Sequence, residues 1–283
     1  MPREDLLLTD IERRVALREI VGFAELGEEA LASVASLSRR VQYSPSKSLA
    51  WPEEPRTSMR LLLSGDMHVV RKGRVWPYRR EHRLLDPFWL ARDTEPLEIR
   101  TDGGADVLEF PFDALEELLE EHFSIVLATA RKLALLWPSS GELMHLHATG
   151  RNATLRGRLG AVAEALPVAR GYVDALLRIE EEASEARFAT GETIWRPGDP
   201  ADHLLVLLDG SVRGAGERGA IGWRDVLAKQ PRAAKLEATR PTLALRVSEE
   251  SFLDVLEDYH ALARDLLAML AEALIGELEA KPR

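Results

Sequence analysis

The 283-residue sequence contains no cysteine. This absence excludes disulfide scaffolds, thiolate zinc sites, iron–sulfur clusters and cysteine nucleophiles. Long apolar runs are also missing: runs such as Leu204 to Leu208 have five residues, none exceeds six, and so short a run cannot span a bilayer. Residues 1–8 combine two acidic residues with a short leucine run, which is unlike a secretory signal peptide. We therefore expect a cytoplasmic protein that does not contact a membrane.

Catalytic motifs are lacking as well. The sequence has no Walker loop, no Gly-x-Ser-x-Gly elbow, no His-Glu-x-x-His and no kinase signature. His145 and His147, with Glu142 nearby, form the only histidine cluster. The pattern of residues 141–147 favours a helix or a linker, and a helix would point residues two apart to different sides. We expect neither enzyme activity nor a metal centre.

The charge balance is acidic, with 37 Lys and Arg against 47 Asp and Glu. This balance disfavours a general nucleic-acid binder, whose affinity comes mostly from phosphate neutralisation. One basic stretch, from Arg71 to Arg83, is interleaved with Trp76 and Tyr78, as nucleic-acid-binding surfaces can be. In an acidic chain, a hairpin with a solvated charged face or a contact for an acidic partner is the favoured interpretation. We predict no direct contact with nucleic acid.

The sequence contains an internal repeat. An offset of 145 residues aligns two prolines and a glycine, the latter matching Gly65 to Gly210. Further along, an offset of 137 aligns Leu108–Leu115 with Leu245–Phe252. Prolines and glycines at matched positions indicate shared backbone geometry rather than chance packing.

Each copy reads as a helix, a β-rich middle and a long closing helix. The middle of the second copy contains an apolar strand at 204–208 that ends at a turn. Its closing helix is predicted over Tyr259–Glu279, with Leu262, Leu266, Met269 and Leu270 at helical spacing. The repeat predicts two domains, residues 1–140 and residues 141–283.

The second copy carries a specific string: Phe188 to Ile194, then Pro197-Gly198-Asp199, then the strand at 204–208 and Gly210. With this string it resembles the cyclic nucleotide-binding domain of catabolite-activator regulators and kinase regulatory subunits. The resemblance implies an α+β fold: two tandem antiparallel β-rolls of the jelly-roll type, each flanked by helices. The first copy is the more degenerate of the two.

The resemblance also implies a ligand site. Gly222, Trp223, Arg232, Ala233 and Ala234 match the family's phosphate-binding cassette, with Arg232 ten residues after Gly222. In such a cassette, backbone N–H groups at a helix start and a forked guanidinium hold the cyclic phosphate. The two small alanines let the backbone approach that phosphate. The implied ligand is cAMP or cGMP, and no other cofactor is expected.

The second copy departs from the family in two places. Trp223 replaces the glutamate that binds the ribose hydroxyl, and losing a hydrogen bond to a charged group costs about 1.5–3 kcal/mol. The indole could fill the ribose space or stack on a base. Asp225 could replace the missing carboxylate, although it is two residues displaced. The segment Ser211–Ile221 is too short for the hairpin that the family places there.

The first copy departs further. It has Ser46-Lys47 in place of a Gly-Glu pair, and Glu95 stands at the position of Arg232. A carboxylate there would repel a phosphate. This copy is not expected to bind a cyclic nucleotide.

These observations favour a non-enzymatic regulatory or scaffolding protein whose domains contact other proteins and have largely lost ligand binding. The alternative is a cyclic nucleotide sensor that binds ligand only in the second domain, through Arg232. A transcription regulator of the catabolite-activator type is disfavoured, because no segment has room for a helix-turn-helix domain. The closing helices could pair within the chain as a pseudo-dimer, which we favour, or between two chains as a homodimer.

Overall fold

The computed structural model describes residues 10–20, 23–50, 56–77, 85–93, 95–137, 143–150, 154–215 and 220–280. The chain divides into two compact units, residues 1–129 and residues 130–283. None of the described helices is long and apolar enough to cross a membrane.

The first unit combines short helices with two antiparallel sheets. The strand orders are β1-β7-β3 and β2-β6-β4-β5. Helix α5 begins in this unit and ends in residues of the second. The elements are α1 (Asp10–Leu17), α2 (Glu28–Ser36), β1 (Arg39–Tyr43), β2 (Lys47–Ala50), β3 (Ser58–Gly65), β4 (His68–Arg71), β5 (Arg74–Pro77), α3 (Pro87–Leu90), β6 (Glu98–Thr101), β7 (Ala105–Pro111), α4 (Phe112–Glu121) and α5 (Phe123–Leu136).

The second unit has one six-stranded antiparallel sheet with helices before and after its strands. Its order is β10-β12-β11-β13-β9, and β8 also pairs with β11. The α+β class and the antiparallel β-roll predicted from the sequence are confirmed. The elements are β8 (Leu143–Ala148), α6 (Leu155–Ala165), a 3-10 turn (Pro167–Gly171), α7 (Val173–Glu182), β9 (Ser184–Phe188), β10 (Thr193–Trp195), β11 (His203–Ala215), α8 (Trp223–Leu227), β12 (Leu236–Ala238), β13 (Thr242–Ser248), α9 (Glu249–Asp258) and α10 (His260–Ala280).

The closing helices form where the sequence predicts them. Helix α9 starts at Ser248, whose hydroxyl accepts a hydrogen bond from the Ser251 N–H at 3.0 Å, as an N-cap does. Helix α10 differs from its predicted span by one residue at each end and buries Leu262, Leu266 and Leu270. Burial of this apolar stripe, at roughly 1.5–3 kcal/mol for each leucine, holds the helix on the second unit.

Both units pair their strands by the same scheme. In the first unit β1 pairs with the last strand, β7, and in the second unit β9, the strand that follows β8, pairs with the last strand, β13; each last strand then pairs with a long central strand, giving β1-β7-β3 and β9-β13-β11. The pairing register shifts at Leu63 in β3 and at Leu208 in β11, which are the positions that the offset of 145 equates. A β-bulge placed at the same point of both central strands is a backbone feature that the repeat shares.

Two glycines beside these bulges are required by the backbone. Gly65 has a φ of 89° and Gly210 a φ of 101°, in the left-handed region that side chains avoid. A Cβ on Gly210 would lie 2.4 Å from the carbonyl oxygen of Pro241, and one on Gly65 would lie 2.1 Å from that of Gly104. No side chain fits at either position without moving the neighbouring backbone.

The histidine segment is a strand, so its prediction as helix or linker was wrong. Strand β8 runs antiparallel to the second half of β11, with Leu146 opposite Val212. Leu146 packs against the sheet core, whereas His145 and His147 share the exposed face. The strand pairs with β11 from Gly210 to Ala215.

The basic stretch is only partly described, since residues 78–83 lie outside the described residues. The predicted hairpin is present as β4 and β5. Arg71, however, is 5% exposed; its guanidinium pairs with Asp93 at 2.7 Å and lies over the Phe88 ring. The interpretation as a solvated charged face was therefore wrong for Arg71, which is part of the core of the first unit.

We expect Gly210→Ala to destabilise the protein by at least about 1–3 kcal/mol, because alanine must adopt a positive φ and displace the strand β13 backbone. Gly160→Ala is the matched control: Gly160 lies in α6 with nothing near its missing Cβ, so alanine should add up to about 1 kcal/mol of stability. Urea unfolding of both variants measures the difference. Equal effects would contradict the requirement for glycine at the bulge.

Candidate functional site

Arg232 lies in the interior of the second unit. It is 2% exposed, and it is the largest of the fully buried side chains described. Its Nη1 donates to the carbonyl oxygen of Gly222 at 3.1 Å, and its Nη2 donates to the carbonyl oxygen of His203. Its guanidinium carbon lies 3.9 Å from the centre of the Trp195 ring. Two backbone carbonyls and an indole face therefore surround the guanidinium.

The backbone of Arg232 is held by the Pro-Gly-Asp turn. Its N–H donates to the Asp199 carbonyl at 2.8 Å, and its carbonyl accepts from the Gly198 N–H at 2.9 Å. The Asp199 carboxylate closes the turn by accepting from the Arg196 N–H at 2.8 Å. The string that identifies the domain in the sequence therefore also fixes the position of Arg232.

Gly222 lies immediately beside the guanidinium. It precedes α8 with a φ of 78°, and a Cβ here would come within 2.3 Å of Arg232 Nη1. The site therefore needs glycine for both its conformation and its space. The structure therefore brings Gly222 and Arg232, which are ten residues apart in sequence, into direct contact.

Burial sets the electrostatics of this region. Loss of water lowers the pKa of Arg232, while the carboxylates of Asp225, Asp202 and Asp199 act in the opposite direction. Burial also lowers the pKa of His203, whose ring contacts Asp202. That same contact is the largest cause lowering the pKa of Asp202.

Asp225 lies beside the alanines of the cassette. Its Oδ2 is 3.4 Å from the N–H of Ala233, a long hydrogen bond. Ala233 is exposed and Ala234 is half-buried. A carboxylate from the chain itself therefore lies at one of the N–H groups assigned to a phosphate, and its charge acts on Arg232.

The indole of Trp223 contributes to an apolar cluster. Trp223 is 6% exposed, and its ring meets that of Trp137 edge-on, with centroids 5.7 Å apart. Side chains of α9 and α10 complete its surroundings. The tryptophan against Arg232 is instead Trp195 at the end of β10, which no motif in the sequence identifies.

In the first unit, the position matched to Arg232 carries no comparable contacts. Glu95 is exposed, 4.0 Å from Lys72 Nζ. Among the described residues, Asp66, His68 and Asp102 form the only group close enough to share a metal ion. Both carboxylate oxygens of Asp66 accept hydrogen bonds from backbone N–H groups of the turn at Asp102 and Gly103. These bonds explain why the three side chains lie close together.

We expect Arg232→Leu to destabilise the second unit by about 2–5 kcal/mol, because the His203 carbonyl loses its donor at about 1–3 kcal/mol and the contacts with the Gly222 carbonyl and the Trp195 ring are lost as well. Arg187→Leu, at a guanidinium that is 80% exposed, serves as the control and should change stability by less than about 0.5 kcal/mol. Denaturant unfolding of the two variants tests this. A stability change in Arg232→Leu no larger than that of the control would show that the buried contacts contribute nothing.

Stability should also depend on pH through His203, which faces Asp202, Arg246 and Arg232. Its pKa in the folded protein lies below the ordinary 6.5, so the unfolded chain binds its proton first as pH falls. The resulting loss of stability begins near pH 6.5, well above the range in which Asp202 titrates. We expect the wild type to lose more stability than His203→Gln between about pH 7.5 and about pH 5.5 in thermal unfolding. Parallel losses in the two proteins would refute this.

Comparison with known structures gives distant similarities. The regulatory domain of Toxoplasma gondii PKA with cAMP is 14% identical, with 93% of this chain and 96% of that chain covered and a TM-score of 0.35. The regulatory subunit of a cAMP-independent protein kinase A from Trypanosoma cruzi bound to guanosine is also 14% identical, covers 97% and 90%, and has a TM-score of 0.36. The sensor domain of the transcriptional regulator DNR from Pseudomonas aeruginosa is 17% identical, covers 43% and 91%, and has a TM-score of 0.39.

No curated protein sequence matches the chain significantly. The family model of the cyclic nucleotide-binding domain matches residues 185–259, which run from β9 to the end of α9 and include Gly222 and Arg232. This match confirms the resemblance drawn from the sequence for the second copy. Residues 185–259 therefore belong to the cyclic nucleotide-binding domain family.

Proposed function

We propose that this protein is a non-enzymatic regulatory or scaffolding protein whose cyclic nucleotide-binding domain contacts protein partners without requiring a cyclic nucleotide. The observation that carries the proposal is the state of Arg232. The guanidinium that would bind the phosphate is 2% exposed and already donates to two backbone carbonyls.

A phosphate would have to displace these contacts. Turning Arg232 toward a ligand leaves the carbonyl of His203 without this donor, at about 1–3 kcal/mol for a buried group, and leaves the Gly222 carbonyl with the Val226 N–H alone. It also separates the guanidinium from the Trp195 ring, a further 0.5–2 kcal/mol or so. These costs subtract from whatever a cyclic phosphate would gain, so the arrangement favours the unliganded domain.

Two further residues act in the same direction. Asp225 places a negative charge beside Ala233, where a second anion would be repelled. The position of the family's ribose-binding glutamate is held by Trp223, whose ring packs with Trp137. Recognition of both the phosphate and the ribose is therefore weakened.

We infer that residues 1–140 are a degenerate second copy of the domain and that residues 141–283 are the copy with the partial cassette. The shared strand pairing and the matched bulges at Leu63 and Leu208 support this. Glu95 in the first copy supports a role in contacts rather than in phosphate binding.

The closing helix bears on the oligomeric state. Leu262 and Leu266 of α10 lie beside α9 and the 3-10 turn of the same unit, which leaves less of the stripe for any second helix, whether from the first copy or from another chain. We retain the intramolecular pseudo-dimer as the proposal, with a homodimer as the alternative. Size-exclusion chromatography with light scattering distinguishes a monomeric mass of 31.6 kDa from twice that value.

A cyclic nucleotide sensor that uses only the second domain is the other candidate. The contact between Gly222 and Arg232 favours it, because the two main cassette residues lie together within the segment matched by the family model. In that case the carbonyls of Gly222 and His203 would hold the guanidinium only until a ligand arrives.

Calorimetric titration with cAMP and with cGMP separates the two candidates. We expect flat heats with either nucleotide up to about millimolar concentration, because the costs at Arg232 place the dissociation constant in or above that range. Saturable heats in the wild type would establish the sensor instead.

Asp225→Ala is a variant in which we expect nucleotide binding to become stronger. Removing the internal carboxylate should lower the dissociation constant for cAMP by about tenfold or more, since a neighbouring like charge no longer opposes the phosphate. Asp254→Ala, an equal charge change at an exposed position of α9, is the matched control and should not alter binding. Identical titrations for both variants would show that Asp225 does not act on the anion site.

A further inference from the structure

The second unit contains a partly open apolar cavity of about 110 Å³ beside the start of α8. Trp137 and Trp223 form one wall with their perpendicular rings. The 3-10 turn with Leu166 and Ala169 forms another, and side chains of α7, α9 and α10 complete the lining: Ile179, Phe252, Val255, Leu256, Leu262, Leu266 and Met269. All of these residues lie in the second unit.

The side chains that line the cavity provide few hydrogen-bond partners for water. It contains no charged side chain and no hydroxyl group. The backbone of the turn is already paired: the Ala165 carbonyl accepts from the Ala220 N–H at 2.7 Å, and the Leu166 carbonyl accepts from the Ala169 N–H at 2.9 Å. A stably bound water needs about two to four polar partners, so water is a poor occupant of this space.

The size and shape suit a single aromatic ring. Cavities of about 150 Å³ lined by aliphatic and aromatic side chains stay dry and bind benzene or xenon. Trp137 and Trp223 both line the cavity, and their rings meet edge-on at 84°. Aromatic rings pair by such edge-to-face and offset contacts, each adding about 0.5–1.5 kcal/mol beyond area burial.

We propose that this cavity is a binding site for a small neutral aromatic molecule. The site uses none of the cassette contacts of Arg232, so it goes beyond the proposed function and does not depend on it. Its occupant would touch Trp223, the residue next to Gly222, whose carbonyl accepts from Arg232. An apolar ligand would therefore bind at the beginning of the cassette helix without using the phosphate site.

Thermal unfolding with benzene as the probe tests the proposal. A ligand that binds only the folded state at about ten times its dissociation constant should raise the melting temperature of the wild type by roughly 3–5 °C. Ala169→Leu, which adds bulk to the cavity wall, should lose this rise. Ala163→Leu, the same change on α6 outside the lining, should keep it. An equal rise in all three proteins, or none in the wild type, overturns the proposal.

Xenon-pressurised crystals of the full-length wild type give a measurement that needs no variant. We expect a xenon atom in the cavity, in contact with the rings of Trp137 and Trp223. Density for another part of the chain, a second copy of the protein or ordered water in that space would overturn the proposal. Because the nucleotide titration probes Arg232 and this experiment does not, failure of either leaves the other result unaffected.

Discussion

The buried guanidinium of Arg232 is the constraint on which the second unit depends. It joins the start of α8 at Gly222, the start of β11 at His203 and the end of β10 at Trp195. Its own backbone adds the Pro-Gly-Asp turn through Asp199. Hydrogen bonds to charged donors are worth more than neutral ones, and they are strongest away from water. A residue type associated with ligand binding thus acts here as a connection between four segments.

The two sides of the cassette helix have different chemistry. On one side, the guanidinium of Arg232 lies among the carboxylates of Asp225, Asp202 and Asp199, whose charges act on it. On the other, Trp223 belongs to an apolar cluster with Trp137 and the closing helices. Replacing a ribose-binding carboxylate by an indole therefore does more than remove a polar contact. It increases the apolar packing of the cassette against α9 and α10. Each Å² of apolar surface buried there stabilises the fold by roughly 25 cal/mol.

Local sequence signals predict much of this structure. Helix α10, the matched glycines Gly65 and Gly210 and the Gly222–Arg232 pair all follow from periodicity, backbone geometry and motif spacing. Strand β8 was missed although its alternation of histidine and apolar residues was visible, because pairing with β11 about seventy residues away decides its state. The burial of Arg71 and the contact of Trp195 with Arg232 were missed for a related reason, because each depends on partners that no local pattern identifies. The contact of Asp225 with Ala233 was missed for the same reason.

Strand β8 shows that the second domain includes more of the chain than its family match. Its six residues precede that match by about forty positions, yet they cover the edge of β11 from Gly210 to Ala215. A fragment cut to begin at the family boundary would leave those backbone groups open, and uncovered strand edges promote association between molecules. A fragment that is meant to contain the whole second domain should therefore begin before Leu143. Self-association of a shorter fragment would result from the missing strand β8 and would not be a property of the intact protein.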